Sequence, residues 1–314
     1  MDRNKILEEI RLKSLTVNKY IKENKAPVMV SPAAAAGSSS GGGGATPTPT
    51  PPEPTYPVAT DADVVNFLEV TGIANETLIS TALETMVTSL KGDSLWTYMK
   101  GLYPFVTDQT NDTLIKDQFK VNLKDRKAGQ FLTEGGETGV TVSANGVTDL
   151  GATGNYRTPI SLSNGFSSNF PGVGYCKTTT ADTNEEIVSS APRNYFLNTQ
   201  SATTLGYKWD TADGETELTG LTSKGVIIGS SYLNEEESYA LRFMTPANTT
   251  VTEVADTRTG TTLDGTLNIG NPAGATDTNV ISTFFYFDSV LMTNTDLQNL
   301  YGAIKQFNID LGRL

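Results

Sequence analysis

A stretch that cannot bury a core divides this chain. It runs from Pro32 through Ala33–Ala36 and Gly37 into Ser38–Ser40 and Gly41–Gly44, then ends in Thr46, Pro47, Thr48, Pro49, Thr50, Pro51 and Pro52. Residues 37–44 have the composition of a flexible coil, whereas 46–57 favour extended polyproline II at about 3.1 Å per residue, a strut of roughly 35–40 Å. A short basic head precedes this spacer and a long acidic body follows it. Such a chain holds its head on one surface and presents its body to another. The pattern predicts four parts: an amphipathic helix at 1–26, a linker at 27–58, a helical module at 59–106, and a β domain at 107–314 that ends in a helix.

The formal net charge of −12 over 314 residues argues against duplex nucleic acid as a partner of the body, because phosphates are held by basic patches. The head differs: Arg3, Lys5, Arg11, Lys13, Lys19, Lys22 and Lys25 crowd it. They read either as a solvated helix face or as a docking surface for an acidic partner. Histidine is absent, which removes His-based triads and the commonest metal ligand. The single cysteine, Cys176, can form no intrachain disulfide and reads as a small buried residue. No apolar run reaches the roughly 18–20 residues of a membrane span, and no secretory signal pattern opens the chain. The expectation is a soluble protein without membrane insertion, not exported by the general route.

Residues 2–24 form the first predicted helix. Leu7, Ile10, Val17 and Ile21 share one face at heptad spacing, with Ser14 at the skipped position. So short a stripe is marginal alone and needs a partner, either sister chains or a groove on a larger assembly. After the spacer, Thr60 and Gly72 bracket a helix carrying Val64, Val65, Phe67 and Leu68. Asn75 and Gly92 bracket another with Leu78, Ile79, Ala82, Leu83, Met86, Val87 and Leu90. Asp93 starts a third with Leu95, Trp96, Met99 and Leu102, stopped by Pro104. The aromatic and Met-rich stripe suits a ligand groove or, preferably, helices packing on a sheet.

From Asp117 the period changes to two, Phe119, Val121 and Leu123 alternating with Lys120, Asn122 and Lys124 as in a half-buried strand. Further strands are predicted at 129–133, 138–143, 155–162, 194–198, 203–209, 224–232, 238–244, 249–255, 266–270 and 281–291. Asn145-Gly146 and Asn164-Gly165 are hairpin-type turns. This spacing indicates an antiparallel β-sandwich. Thr293 or Asn294 caps a last helix with Leu297, Leu300, Tyr301, Ile304 and Phe307 on its apolar face.

The run Phe284 to Met292, the helix from Thr295 to Tyr301 and the closing Leu311-Gly312-Arg313 resemble the C-terminal pattern of bacteriophage virion proteins with a concanavalin A-like, laminin-G-type jelly-roll domain. Leu267-Asn268-Ile269-Gly270-Asn271 with Gly274 is similar to the glycine-rich strand end of such sandwiches. Upstream, Phe67-Leu68, Thr71-Gly72-Ile73, Leu95-Trp96, Tyr103-Pro104-Phe105-Val106 and Phe119-Lys120 fit the same pattern, so the resemblance spans roughly residues 64–314. Gly135-Gly136-Glu137 departs from the family's Gly-Gly-Trp and removes an aromatic. The resemblance implies a mainly β jelly roll with a preceding helical module, a virion address and a fibre-like homotrimer. It also implies docking of the N-terminal helix on a capsid or tail protein, and a host-surface carbohydrate as ligand.

Sandwiches of this kind also host glycosidases, whose two carboxylates lie about 5–9 Å apart. The acidic clusters here, Asp182 with Glu185 and Glu186, and Glu235 to Glu237, fall in polar stretches without such a pattern. Asp210, Asp213 and Glu215 are the candidate ligands of a Ca2+ ion, which takes hard oxygen donors. No nucleotide-binding glycine motif occurs, and Gly41–Gly44 belongs to the spacer. Among the aromatics Tyr195, Tyr207, Trp209, Tyr232 and Tyr239, the group Trp209, Tyr207 and Asp210 is the candidate sugar site, combining a stacking face with a polar edge. Core or cross-strand pairing is the alternative for most of them. The leading expectation is a non-enzymatic head fibre or capsid decoration protein. A tail fibre, a polysaccharide depolymerase and a ligand-free structural spacer are the competing classes.

Overall fold

The computed structural model describes residues 55–135, 140–148, 154–162, 165–166, 171–179, 185–191, 196–201, 204–208, 216–219, 224–233, 239–255, 265–270 and 280–314. The predicted N-terminal helix, with Leu7, Ile10, Val17 and Ile21, and the spacer as far as Pro54 lie outside them. Residues Thr55–Leu314 form one compact unit. Its elements are α1 (Ala62–Thr71), α2 (Leu78–Gly92), β1 (Met99–Tyr103), α3 (Asp112–Phe119), β2 (Thr133–Gly135), β3 (Thr141–Ser143), β4 (Gly146–Thr148) and β5 (Asn155–Ser161). There follow β6 (Pro171–Lys177), β7 (Glu185–Ala191), β8 (Phe196–Ser201), β9 (Thr204–Lys208), β10 (Thr216–Thr219) and β11 (Gly225–Leu233). The chain closes with β12 (Tyr239–Met244), β13 (Thr252–Ala255), β14 (Thr266–Ile269), β15 (Ile281–Asp288) and α4 (Asn294–Asp310).

The fold is mainly β, and every described strand pairing is antiparallel. One sheet runs β13-β12-β11-β6-β15-β4-β3, with β1 also on β15; the other runs β10-β9-β8-β7-β14-β5-β2. Between the sheets lies a core to which Tyr175, Ile227, Phe284 and Tyr286 contribute from the first, and Tyr156, Leu267 and Ile269 from the second. The far side of the first sheet is apolar too. Cys176, Val226, Ile228, Met244, Phe285 and Phe287 pack there against α1, α2 and α4. The result is three layers: sheet, sheet, helices. Burial pushes the Cys176 thiol up to about 11, the inert state expected of a buried cysteine.

Local chemistry explains the helices, and in places corrects the sequence reading. Asp61, not Thr60, caps α1 by accepting from the Asp63 amide, and Gly72 ends it in the left-handed conformation. Thr77, not Asn75, caps α2 in a capping box with Ser80. A capping box of Thr293 and Asp296 starts α4, which buries Leu297, Leu300, Tyr301, Ile304 and Phe307 as predicted. The third predicted helix is instead a 3₁₀ turn at Leu95–Thr97 followed by β1. Ser94 at φ 62° breaks the helical path, and pairing of Leu102 and Tyr103 with Phe285 and Phe284 outweighs helix propensity. The strand predicted from Asp117 is the last turn of α3, capped by Asn111. Its alternation beyond Phe119 is real, since Val121 and Leu123 are buried, but that segment joins no sheet. Instead Asn122 Oδ1 accepts from the Leu102 amide at 3.0 Å.

Close approach decides β6. A Cβ on Gly174 would stand 2.3 Å from the Phe285 ring, and one on Gly172 would stand 2.1 Å from that of Phe287. These glycines let two aromatic rings lie across the neighbouring strand.

The C-terminus locks the layers. Arg313, 8% exposed, donates from Nη1 to the carbonyls of Pro104 and Ser282, both at 3.2 Å, and from Nη2 to those of Phe105 at 2.8 Å and Ala144 at 3.0 Å. Phe105 has φ 45°, a costly backbone state for a non-glycine residue, and its carbonyl is one of the four held. Arg313→Met removes the guanidinium and orphans these carbonyls. It is expected to cost about 2–4 kcal/mol, given the worth of hydrogen bonds to charged groups and the penalty for unmet buried ones. Urea unfolding measures it, and an unchanged midpoint would show that the clasp is dispensable.

Candidate functional site

Polar residues on a sheet that is already packed on its inner side are where recognition chemistry can sit. In β14, Leu267 and Ile269 belong to the core between the sheets, so Asn268, between them, takes the opposite face. In β5, Tyr156 belongs to that core, and Asn155 and Arg157 flank it on the outer face. The register brings these residues together. Arg157 stands opposite Asn268 on one side and Thr133 on the other, and Asn155 stands opposite Gly135.

The glycine shapes the spot. A Cβ at Gly135 would lie 2.6 Å from Asn155 Oδ1, 3.0 Å from Arg157 Nε and 3.3 Å from Arg157 Nη2. The guanidinium thus lies across Gly135, towards β2. Asn155 and Asn268 are each 1% exposed. Asn268 donates to the Thr266 carbonyl at 3.4 Å, while its Oδ1, buried, accepts nothing. Arg157 itself is exposed. Glu134, the nearest acid along β2, stands in register with core Tyr156 and pairs with Lys120 at 2.7 Å and Lys116 at 3.6 Å. It is therefore spent on α3. Burial, with Glu134 and Asp117 nearby, holds the Tyr156 phenol well above its usual range. Among the described residues the site offers hydrogen-bond donors and acceptors rather than an acid–base pair.

Two other polar clusters bind the fold itself. Arg242, 1% exposed, donates to the Met292 carbonyl at 2.6 Å and the Ser289 carbonyl at 3.1 Å, and its guanidinium lies 4.0 Å from the centre of the Tyr232 ring. Tyr232 and Asn294 each donate to Glu253 at 2.6 Å. These bonds keep the Glu253 carboxyl below its usual range. Together they join β11, β12 and β13 to the start of α4. At the helical layer, Lys124 donates to the Trp96 carbonyl at 2.6 Å with its Nζ 4.6 Å from the Trp96 ring centre. Burial lowers this ammonium to about 8; Asp63 opposes the shift, and the positive charges of Lys91, Lys100 and Arg126 add to it. A lowered amine invites a catalytic reading, but this one is buried against the Trp96 ring and donates one of its hydrogens to the Trp96 carbonyl.

The sequence-predicted site is only partly visible. Trp209, Asp210, Asp213 and Glu215, and with them the Ca2+ candidates, lie outside the described residues. Tyr207 is placed by backbone alone. It pairs with Leu197, which pairs with Val188, then Ile269, then Tyr156, so it shares a register row with core residues. Among the described residues no cluster of three or more metal-ligating side chains occurs, and no helix is long and apolar enough to cross a membrane. Sequence reasoning treated Asn268 as a mark of fold and passed over Arg157. The available signal was their alternation with core residues across from a glycine.

No family model matches the chain, and no curated protein matches it. Among solved structures, a mutant of Trypanosoma rangeli sialidase displaying trans-sialidase activity is similar at 8% identity and a TM-score of 0.46, over 73% of this chain and 40% of that one. Domain 4 of AbnA, a GH43 extracellular arabinanase from Geobacillus stearothermophilus, in complex with arabinotriose, is similar at 10% identity and a TM-score of 0.41, over 65% and 98%. A receptor binding domain is similar at 9% identity and a TM-score of 0.43, over 68% and 52%. The chain spans about two fifths of the length of the sialidase it matches. Likeness this slight says nothing of activity.

The Lys124 amine gives a direct check on the electrostatics. Lysine 13Cε shifts followed against pH should show it titrating at about 8, against the ordinary 10.5. Because the folded-state value is lowered, its favourable contribution to stability is complete above the unfolded value and is lost as pH falls through about 8. Titration together with the other lysines would show instead that the amine is solvated.

Proposed function

We propose that this chain is a non-enzymatic structural and binding protein of a phage virion, a head fibre or capsid decoration protein. In this reading the N-terminal helix, through Leu7, Ile10, Val17 and Ile21, docks on a capsid protein. The spacer projects the body, and the sandwich binds a host-surface carbohydrate. A homotrimer multiplies weak single contacts through effective concentration.

The observation that carries the reading is the joining of a spacer to a self-contained body. One compact unit begins at Thr55, directly after the Pro-rich run, and its C-terminal Arg313 is tied back to Pro104 and Phe105. A body closed in this way can be held at the end of a tether without help from its anchor. The closing Leu311-Gly312-Arg313, part of the resemblance to virion proteins, is in this chain the clasp of the fold.

Deleting residues 1–26 is expected to abolish incorporation into particles while leaving the body folded, and labelled electron microscopy of intact particles should place the protein on the head. Undiminished incorporation would remove the helix from the anchoring role, and label on the tail would move the address to a tail fibre. Turnover of host capsule that is lost on a single carboxylate substitution would replace display by depolymerisation.

A further inference from the structure

We infer that the outer face of the second sheet, where Arg157, Asn155 and Asn268 meet over Gly135, binds a carboxylate-bearing saccharide residue, with Arg157 as the fork that holds the carboxylate. The inference rests on the reading of the sandwich as a glycan-displaying body and gives that body a site and a ligand class.

Most arginines of the described residues bind the protein itself. Four lie among the described residues. Arg126 donates to the Leu123 carbonyl at 2.7 Å and to Asp63 at 3.0 Å. Arg242 holds two backbone carbonyls and Arg313 holds four. Arg157, by contrast, makes no hydrogen bond or ion pair among the described residues. Its fork lies over Gly135, because Nε and Nη2 are 3.0 and 3.3 Å from the place a side chain there would take. A planar guanidinium laid over a glycine, with its donors unspent, matches a planar carboxylate by two parallel hydrogen bonds.

The neighbours set the rest of the ligand. Asn268 stands directly opposite Arg157, and its Oδ1 is a buried acceptor that receives no hydrogen bond. It needs a donor, which a carboxylate lacks and a sugar hydroxyl supplies. Thr133, exposed and opposite Arg157 on the other side, adds a hydroxyl that can donate or accept. A ligand that meets both demands carries a carboxylate and hydroxyls within a few ångströms of each other, which is the chemistry of a uronic or other sugar acid. A neutral sugar would leave the guanidinium unused, and a simple carboxylic acid would leave the amide acceptor unmet.

The full chain is titrated calorimetrically with oligogalacturonate, oligoalginate and hyaluronan fragments, each beside its carboxyl-reduced neutral counterpart. At least one acidic oligomer is expected to bind about tenfold or more tightly than its reduced form, as befits a charge-assisted bidentate contact. Arg157→Gln should bring the acidic ligand down to the neutral level, and Arg157→Lys should recover only part of the loss. Gly135→Val, which changes no charge but pushes the fork and the Asn155 amide aside, should weaken binding comparably. Thermal melting of each variant verifies the fold, and the exposed Arg157 variants are expected to melt as the parent does. Failure of every acidic oligomer to bind at millimolar concentration, or binding that ignores Arg157→Gln, overturns the inference. If neutral glycans then bind on a broad array, the display reading survives without this site; silence on the array as well removes the carbohydrate from both.

Discussion

The structure depends on β15 being buried on both faces. All eight residues from Ile281 to Asp288 are buried. Phe284 and Tyr286 enter the core between the sheets, while Phe285 and Phe287 enter the core under the helices. Each such ring is worth about 1.5–3 kcal/mol when removed from water, so a strand with aromatics on both sides is stable only between two apolar layers. That requirement explains the helical module. Without α1, α2 and α4, the far side of the first sheet would present Phe285, Phe287, Val226, Ile228 and Met244 to solvent. It also explains the glycines of β6, which leave room for those rings, and the buried Asn308 of α4. Asn308 accepts from Ser282 Oγ at 2.7 Å and donates to Thr283 Oγ1 at 3.1 Å, so the helix is bonded to β15 itself.

The first sheet has no free face, since one side carries the second sheet and the other carries helices. The binding proposed for the body is therefore placed on the outer side of the second sheet, where Arg157 is exposed beside the buried Asn155 and Asn268. There the alternation that puts Tyr156, Leu267 and Ile269 inward puts Asn155, Arg157 and Asn268 outward. The same chain spends Arg242 and Arg313 on backbone carbonyls at the junctions of β12, β15 and α4. In both places the guanidinium satisfies carbonyls that irregular segments leave unpaired. Arg157 lies in β5 beside the register shift between Thr266 and Asn268, and it holds no carbonyl among the described residues.

The sequence was legible wherever one pattern acted alone. The period of α4, its cap at Thr293, the strands at 155–161, 225–233 and 239–244, and the turn at Asn145-Gly146 follow from periodicity and turn chemistry. It misled where tertiary pairing overrode the local signal. β1 carries a helix-like spacing of Met99 and Leu102 but pairs with β15, and β6, buried throughout, shows no alternation to read. The candidate site was less legible still. Aromatics drew attention to Tyr207 and Trp209, yet Tyr207 shares a row with core residues. Asn155, Arg157, Asn268 and Gly135 come from three strands that only the fold assembles, and an arginine's freedom from partners is visible only once its neighbours are known.

Charge sets how such a site has to work. A body in a chain of net charge −12 repels an acidic glycan at distances where its field acts as a whole, and that repulsion fades beyond a Debye length of about 8 Å at physiological salt. Within that distance the local arrangement decides, and a single fork with adjacent amide and hydroxyl groups outweighs distant carboxylates. Recognition of this kind gains nothing from long-range steering. It selects by contact geometry, and each contact is individually weak. Weak, contact-limited recognition serves a protein poorly as a solitary receptor. It serves well when many copies are held at fixed spacing on flexible tethers, because the second and later contacts are then made at high effective concentration. Under the proposed display function the spacer and the acidic body would be complementary parts of one arrangement, the charge separating neighbouring bodies and the spacer supplying the multiplicity that a single site lacks.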